Sequence, residues 1–167
     1  MNYAKIRKYD ISNAPGGGAT LFVSGCTHGC EGCFNKEQQN FKYGKEFTEE
    51  TKKEFISICK NENIKAINIL GGEPMQQVKD NTLLDLLKSL NEEVGKPIWL
   101  WSGYTFEEII NNPERLALLK EVDVLIDGKY DESKRDLMLK YRGSSNHRII
   151  DVKESPKNNE IALMQLC

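Results

Sequence analysis

Three observations predict an α/β fold built on a mainly parallel sheet. Strand-like and helix-like segments alternate along the chain, which is the pattern of βαβ units. The loops with unusual composition fall where a strand has just ended. Length sets the scale: 167 residues make one ordinary domain, with a core large enough to stand without disulfides or a structural metal. A complete (β/α)8 barrel takes about 250 residues, so that architecture fits only in reduced form.

The elements follow in order. Thr20 to Ser24 is a short apolar segment, a buried strand running into a cysteine-rich loop. Residues 47–60 form a helix, with the Thr48 hydroxyl as N-cap and Phe55, Ile58 and Cys59 as its apolar stripe. Ala66 to Leu70 is a compact apolar strand that ends at Gly71-Gly72-Glu73-Pro74. Leu83, Leu86, Leu87 and Leu90 fall at i, i+3, i+4 and i+7, so residues 82–90 form an amphipathic helix. Ile98 to Trp101 is the next strand, where Trp99 and Trp101 share one face and read as core. A short helix over 106–110 and another over 113–120 follow, the second with Pro113 in its first turn. Residues 122–126 and 148–152 are the last two strands. Ligands of parallel sheets bind beyond the carboxyl ends of the strands. The cysteine loop, the GGEP turn, Ser102-Gly103 and Asp127-Gly128-Lys129 therefore gather the chemistry at one end of the sheet.

Composition narrows the function. With 23 basic and 25 acidic residues the net charge is −2, which lacks the basic footprint of a nucleic-acid binder. No apolar run exceeds four residues, so no membrane-spanning helix is expected. The opening MNYAKIRKYD has no apolar signal region. A cytoplasmic location is the expectation, where thiols stay reduced. Five cysteines are an odd number, and three of them, Cys26, Cys30 and Cys33, lie within eight residues. Such a cluster suits a metal better than a disulfide framework.

The spacing is C-x3-C-x2-C. Three thiolates can wrap one corner of a [4Fe–4S] cubane and leave the fourth iron without a protein ligand, since full ligation takes four cysteines. Cys59 sits on a helix stripe and reads as a small core residue. Cys167 is the last residue and reads as a loose-end thiol. Zinc is the alternative metal, but its structural sites favour two cysteine pairs and the second pair is missing. His28 is available as a fourth zinc ligand, although its position between two cysteines reads as a solvent-facing loop. At the GGEP turn, Gly71 and Gly72 suit a close backbone approach or positive φ, Pro74 fixes the exit, and Glu73 sets a carboxylate on the rim. Asp127 and Lys129, two apart on an extended segment, project the same way and could reach a bound ribose or carboxylate. A surface ion pair is the plainer reading of those two. Ser102 is a weaker candidate of the same kind.

The cysteine spacing followed by GGEP after the next strand resembles the radical S-adenosylmethionine (SAM) superfamily. Further stretches are similar to its glycyl-radical activating enzymes, in particular the small subgroup that serves the anaerobic (class III) ribonucleoside-triphosphate reductase. These are residues 20–26, Cys33-Phe34-Asn35, Trp101-Ser102-Gly103-Tyr104, residues 124–129 and, most specifically, residues 142–148. The resemblance covers about residues 3–152 and implies a truncated radical-SAM-type partial (β/α) barrel over 1–152, with 153–167 as a tail or extension. It implies that Cys26, Cys30 and Cys33 hold a [4Fe–4S] cluster whose open iron binds SAM. Gly32, Cys33, Phe34, Gly71, Gly72, Glu73, Ser102, Asp127 and Lys129 are implied as cofactor contacts. No side chain is needed as acid, base or nucleophile, because the cofactors carry the chemistry. The implied reaction is reductive cleavage of SAM to a 5′-deoxyadenosyl radical, which takes a hydrogen from a glycine of the reductase large subunit. A flavodoxin-like protein is the implied electron donor. Residues 142–146 are polar and expected to close on SAM or on the incoming loop. The chain departs from the subgroup at residues 13–18, where a basic residue is lacking, and at Gly32, where many superfamily members carry an aromatic residue. Phe34 is expected to take over that packing.

Overall fold

Four parallel strands form the centre of the sheet, as the alternation of elements predicts. The computed structural model describes residues 1–11, 13, 16–30, 36–129, 132–134, 146–153 and 162–163. Its strands are β1 (Asn2–Asp10), β2 (Gly18–Val23), β3 (Lys45–Glu46), β4 (Ala66–Gly71), β5 (Ile98–Trp101), β6 (Val124–Asp127), β7 (Arg148–Asp151) and β8 (Ala162–Leu163). Its helices are α1 (Glu49–Cys59), α2 (Thr82–Glu93), α3 (Phe106–Ile110) and α4 (Pro113–Leu119). The strand order is β3-β1-β2-β4-β5-β6-β7-β8. Pairs β2–β4, β4–β5 and β5–β6 are parallel, and antiparallel strands extend the sheet on both sides.

Helix starts are chemically marked. The Thr48 side chain accepts from Thr51 N at the start of α1. Thr105 and Glu108 form a reciprocal capping box on α3. Asn112 accepts from Glu114 N and Arg115 N at the start of α4, where Pro113 occupies the first turn. The leucines of α2 named from their spacing are all buried.

Alternation divides the strands between two faces. Leu21, Val23, Ile67, Ile69, Ile98, Leu100 and Leu125 join Phe55, Leu83, Leu86, Leu87, Leu90 and Ile109 in the main core, so the helices cover one face. The opposite face carries a smaller cluster of strand residues, Ala66, Trp99, Val124, Ile126 and Ile149, with Trp101 packed against it. Trp99 and Trp101 lie 6.1 Å apart on that face, in keeping with their shared periodicity. The parallel strands run in chain order with their helices on one side, so this half of the fold is singly wound. Among the described residues, no helix is long and apolar enough to cross a membrane.

One expectation needs correction, and one strand had no expectation. β1 went unread, and 148–152 is not the final strand, since β8 pairs with β7 within the expected tail. Cys59 is fully buried in the main core, as its place on the α1 stripe predicts. Burial pushes its thiol up to about 12, against a small opposing pull from Lys96. The fold therefore favours the protonated thiol, and stability should fall as pH rises above the unfolded thiol's value, about 9. Alkylation with iodoacetamide at pH 8 is expected to label Cys59 only after denaturation; prompt labelling of folded protein would contradict its burial.

Candidate functional site

The loops expected to collect the chemistry do meet at the carboxyl ends of β2, β4, β5 and β6. The cysteine loop leaves β2 through Ser24 and Gly25. Gly25 has φ +114°, and a Cβ there would meet the Phe41 ring at 2.1 Å. Gly25 N donates to Gln38 O and Cys26 N to Gln39 O. Glu73 N donates to Gly25 O at 2.7 Å, which ties the loop to the GGEP turn. Cys26 and Cys30 are half-buried on this loop. Gly32, Cys33 and Phe34 lie outside the described residues, as do Cys167 and residues 142–145. Two thiols placed at an accessible rim suit an iron–sulfur cluster as donors, because thiolate is the ligand such clusters use.

The glycines of the GGEP turn have a reason internal to the protein. Gly71 has φ +117°, and a Cβ on it would lie 2.4 Å from Val23 O. A Cβ on Gly72 would lie 2.6 Å from both Gln38 O and Gly25 O. The close approach made possible here is of β4 to the start of the cysteine loop.

Glu73 is the hub of the rim. Its carboxylate is 1 % exposed and accepts from four donors. Oε1 takes Gly103 N at 2.5 Å and faces His28 Nε2 at 2.7 Å. Oε2 takes the Ser102 hydroxyl at 2.7 Å and Met75 N at 2.9 Å. Burying a carboxylate is costly unless its oxygens are satisfied, and here all four contacts come from the chain itself. Ser102 also accepts from Tyr104 N. The Ser102 hydroxyl is thus committed to shaping the β5 loop.

A second set of contacts runs beside it. Gln76 accepts from Thr27 N and donates to the Thr27 hydroxyl at 2.6 Å and to the Tyr104 hydroxyl at 3.0 Å. Arg115 donates to the same hydroxyl at 2.8 Å and stacks over the Tyr104 ring at 3.7 Å. His28 meets Tyr104 edge-on at 4.6 Å. The solvent-facing reading of His28 is therefore wrong: its side chain is only 6 % exposed. Gln76 and Arg115 carry no signal in the sequence, Tyr104 enters only within the Trp101-Ser102-Gly103-Tyr104 stretch, and His28 was read only as a zinc ligand or a solvent-facing loop residue.

Asp127 and Lys129 separate. Asp127 is 1 % exposed, whereas Lys129 is exposed, because Gly128 at φ +101° turns the chain out of the strand. The expectation that both project together fails for that reason. Asp127 sits opposite Arg148 in the β6–β7 ladder. Its oxygens accept from Arg148 Nε at 3.0 Å and Nη2 at 2.5 Å, and from Phe106 N at 2.8 Å at the start of α3. Arg148 also pairs with Glu107 at 2.9 Å. That hydrogen bond holds the Glu107 carboxyl below the usual range. Asp127, and then Glu107, raise the Arg148 guanidinium above its ordinary value. Arg148→Ala would leave the buried Asp127 charge with one backbone donor. The expected cost is about 3 kcal/mol, read as a Tm lower by about 6–12 °C in thermal unfolding. An unchanged Tm would show that the pair contributes nothing net.

Comparison with known proteins places this site in context. The family described as "4Fe-4S single cluster domain" matches residues 12–150. The chain is 38% identical over 152 residues to the anaerobic ribonucleoside-triphosphate reductase-activating protein of Vibrio cholerae, covering 89% of this chain and 97% of that protein. It is 39% identical over 150 residues to the protein of that name from Enterobacteria phage T4, covering 89% and 93%. For that of Escherichia coli K12 the values are 37% over 149 residues, 87% and 96%.

Proposed function

The chain belongs to the family of anaerobic ribonucleoside-triphosphate reductase-activating proteins, and on that premise we propose that it is a radical SAM activase of the class III reductase. The observation that carries this reading is the seating of a C-x3-C-x2-C loop directly on a GGEP turn, joined by Glu73 N to Gly25 O. Cys26, Cys30 and Cys33 are the ligands of a [4Fe–4S] cluster with one open iron, and we read the singly wound parallel strands as a shortened (β/α) barrel. When bound, the reduced cluster would supply one electron to the sulfonium of SAM, breaking its bond to C5′ to give methionine and a 5′-deoxyadenosyl radical, which would take a hydrogen atom from a glycine of the reductase.

The protein's own part is to seat the ligand and to keep water out. Backbone groups of Gly71 and Gly72 would hold the methionine end of SAM, with Glu73 keeping the turn in shape through its four donors. Gly32, Cys33 and Phe34 are the further contacts this reading assigns to SAM. Ser102, Asp127 and Lys129 complete the rim: the buried pair Ser102 and Asp127 fix its outline, and Lys129 is the exposed cation available to a carboxylate. A radical this reactive needs a dry pocket that admits only its target, and a shortened barrel leaves a side open for a protein loop. The reductase large subunit is the substrate, a flavodoxin-like protein the electron donor, and the cytoplasm the place of action.

The test is anaerobic reconstitution followed by reduction with SAM present. 5′-Deoxyadenosine should form, and adding the reductase should give a glycyl-radical signal on that partner by electron paramagnetic resonance. An intact cluster with no 5′-deoxyadenosine overturns the reading. One zinc and no iron in the purified protein would do the same.

A further inference from the structure

Between Cys26 and Cys30 the cysteine loop has no regular secondary structure, so side chains must fix its path. Two residues inside it are tied to the GGEP turn: Thr27 through Gln76, and His28 through Glu73. The seat for His28 is cut closely. A Cβ at Gly103 would lie 2.6 Å from its ring Cδ2, so only glycine there leaves room for the imidazole. The Tyr104 ring closes another side at 4.6 Å, and Tyr104 is itself held by Gln76 and Arg115. A histidine free in a loop would need none of this.

We propose that the His28 Nε2–Glu73 Oε1 contact is a latch that holds the cysteine loop in its ligating shape against the GGEP turn, which makes His28 a positioning residue for the cluster. The inference rests on the reading that Cys26, Cys30 and Cys33 hold that cluster. Its effect is separable from the rim, because without His28 the Glu73 carboxylate keeps Gly103 N, Ser102 Oγ and Met75 N as donors. Losing the latch therefore loosens the loop and leaves the turn standing. Partners that orient metal ligands from behind change metal retention by about 10–100-fold when removed.

The geometry selects the variants. A glutamine amide nitrogen reaches the place of the imidazole Nε2, whereas an asparagine amide nitrogen reaches only the place of Nδ1. His28→Gln should restore the bond to Glu73, and His28→Asn should not. Wild type and both variants are reconstituted anaerobically and read by iron per chain, by iron loss to a chelator, and by the electron paramagnetic resonance spectrum of the reduced cluster. Melting of the cluster-free proteins is expected to be alike, since the core is untouched. His28→Asn should lose iron about tenfold faster and show a broadened signal, while His28→Gln follows wild type. If His28→Asn retains iron like wild type, the latch is refuted alone. If Gln and Asn fail equally, the hydrogen bond is not the active feature and the latch is again refuted. Wild type that takes up no iron refutes the cluster reading and, with it, anything for the latch to hold.

Discussion

Alanine at Cys26, Cys30 or Cys33, introduced singly, is expected to abolish both cluster uptake and SAM cleavage. On the proposed reading three thiolates meet three irons, and among the described residues no other group is placed to take over: Cys59 is sealed in the main core, and no group of three or more His, Cys, Asp or Glu is arranged to hold a metal ion. Each loss leaves a second iron without a protein ligand. Cys59→Ala is the matched control. It removes one sulfur from a packed core at a cost of about 1 kcal/mol and should leave iron content and 5′-deoxyadenosine yield near wild type. Iron analysis and chromatography of the reaction products decide the matter. A single cysteine variant that still cleaves SAM would remove the three-thiolate cluster from consideration.

The second large effect is expected at a residue that touches no cofactor through a side chain. Gly71→Ala places a Cβ 2.4 Å from Val23 O at a residue with φ +117°. The left-handed backbone costs a non-glycine residue about 1–2 kcal/mol. Forcing a methyl into a packed backbone junction adds about 1–3 kcal/mol. Together these approach the lower end of a domain's whole stability, about 5 kcal/mol. Urea unfolding of cluster-free protein should show a midpoint far below wild type, without any ligand in the tube. A normal midpoint with impaired SAM binding would mean instead that the glycine serves the ligand alone.

The parallel centre of the fold was legible because each of its strands is buried on both sides and so reads as a short apolar run closed by turn residues. The helices declared themselves through leucine spacing and through Thr48 and Pro113. β1 was not legible: NYAKIRKYD alternates half-buried and exposed side chains only over Ala4 to Arg7, and it offers no apolar run. β3 and β8, at two residues each, are too short to carry a period. Within the site, the GGEP turn was found from its composition, but the role of its glycines was not. Their Cβ positions collide with Val23, Gly25 and Gln38, which are distant in sequence and brought close by the β2–β4 ladder and the backbone bonds just beyond its end. The pairing of Arg148 with Asp127 was not legible for a related reason. It meets Asp127 only because β7 runs antiparallel to β6, and strand direction is not written in a hydrophobic pattern.

The seating of the cysteine loop also bears on how the protein is made. The loop is complete at Cys33, yet the groups that hold it arrive later: Glu73 and Gln76 with β4, then Ser102, Gly103 and Tyr104 after β5. About 70 residues separate the last cysteine from Tyr104, roughly 4–14 seconds of synthesis at ribosomal speed. On the proposed cluster reading, the loop is held in place only once Tyr104 has been made, so cluster delivery is expected no earlier than that point.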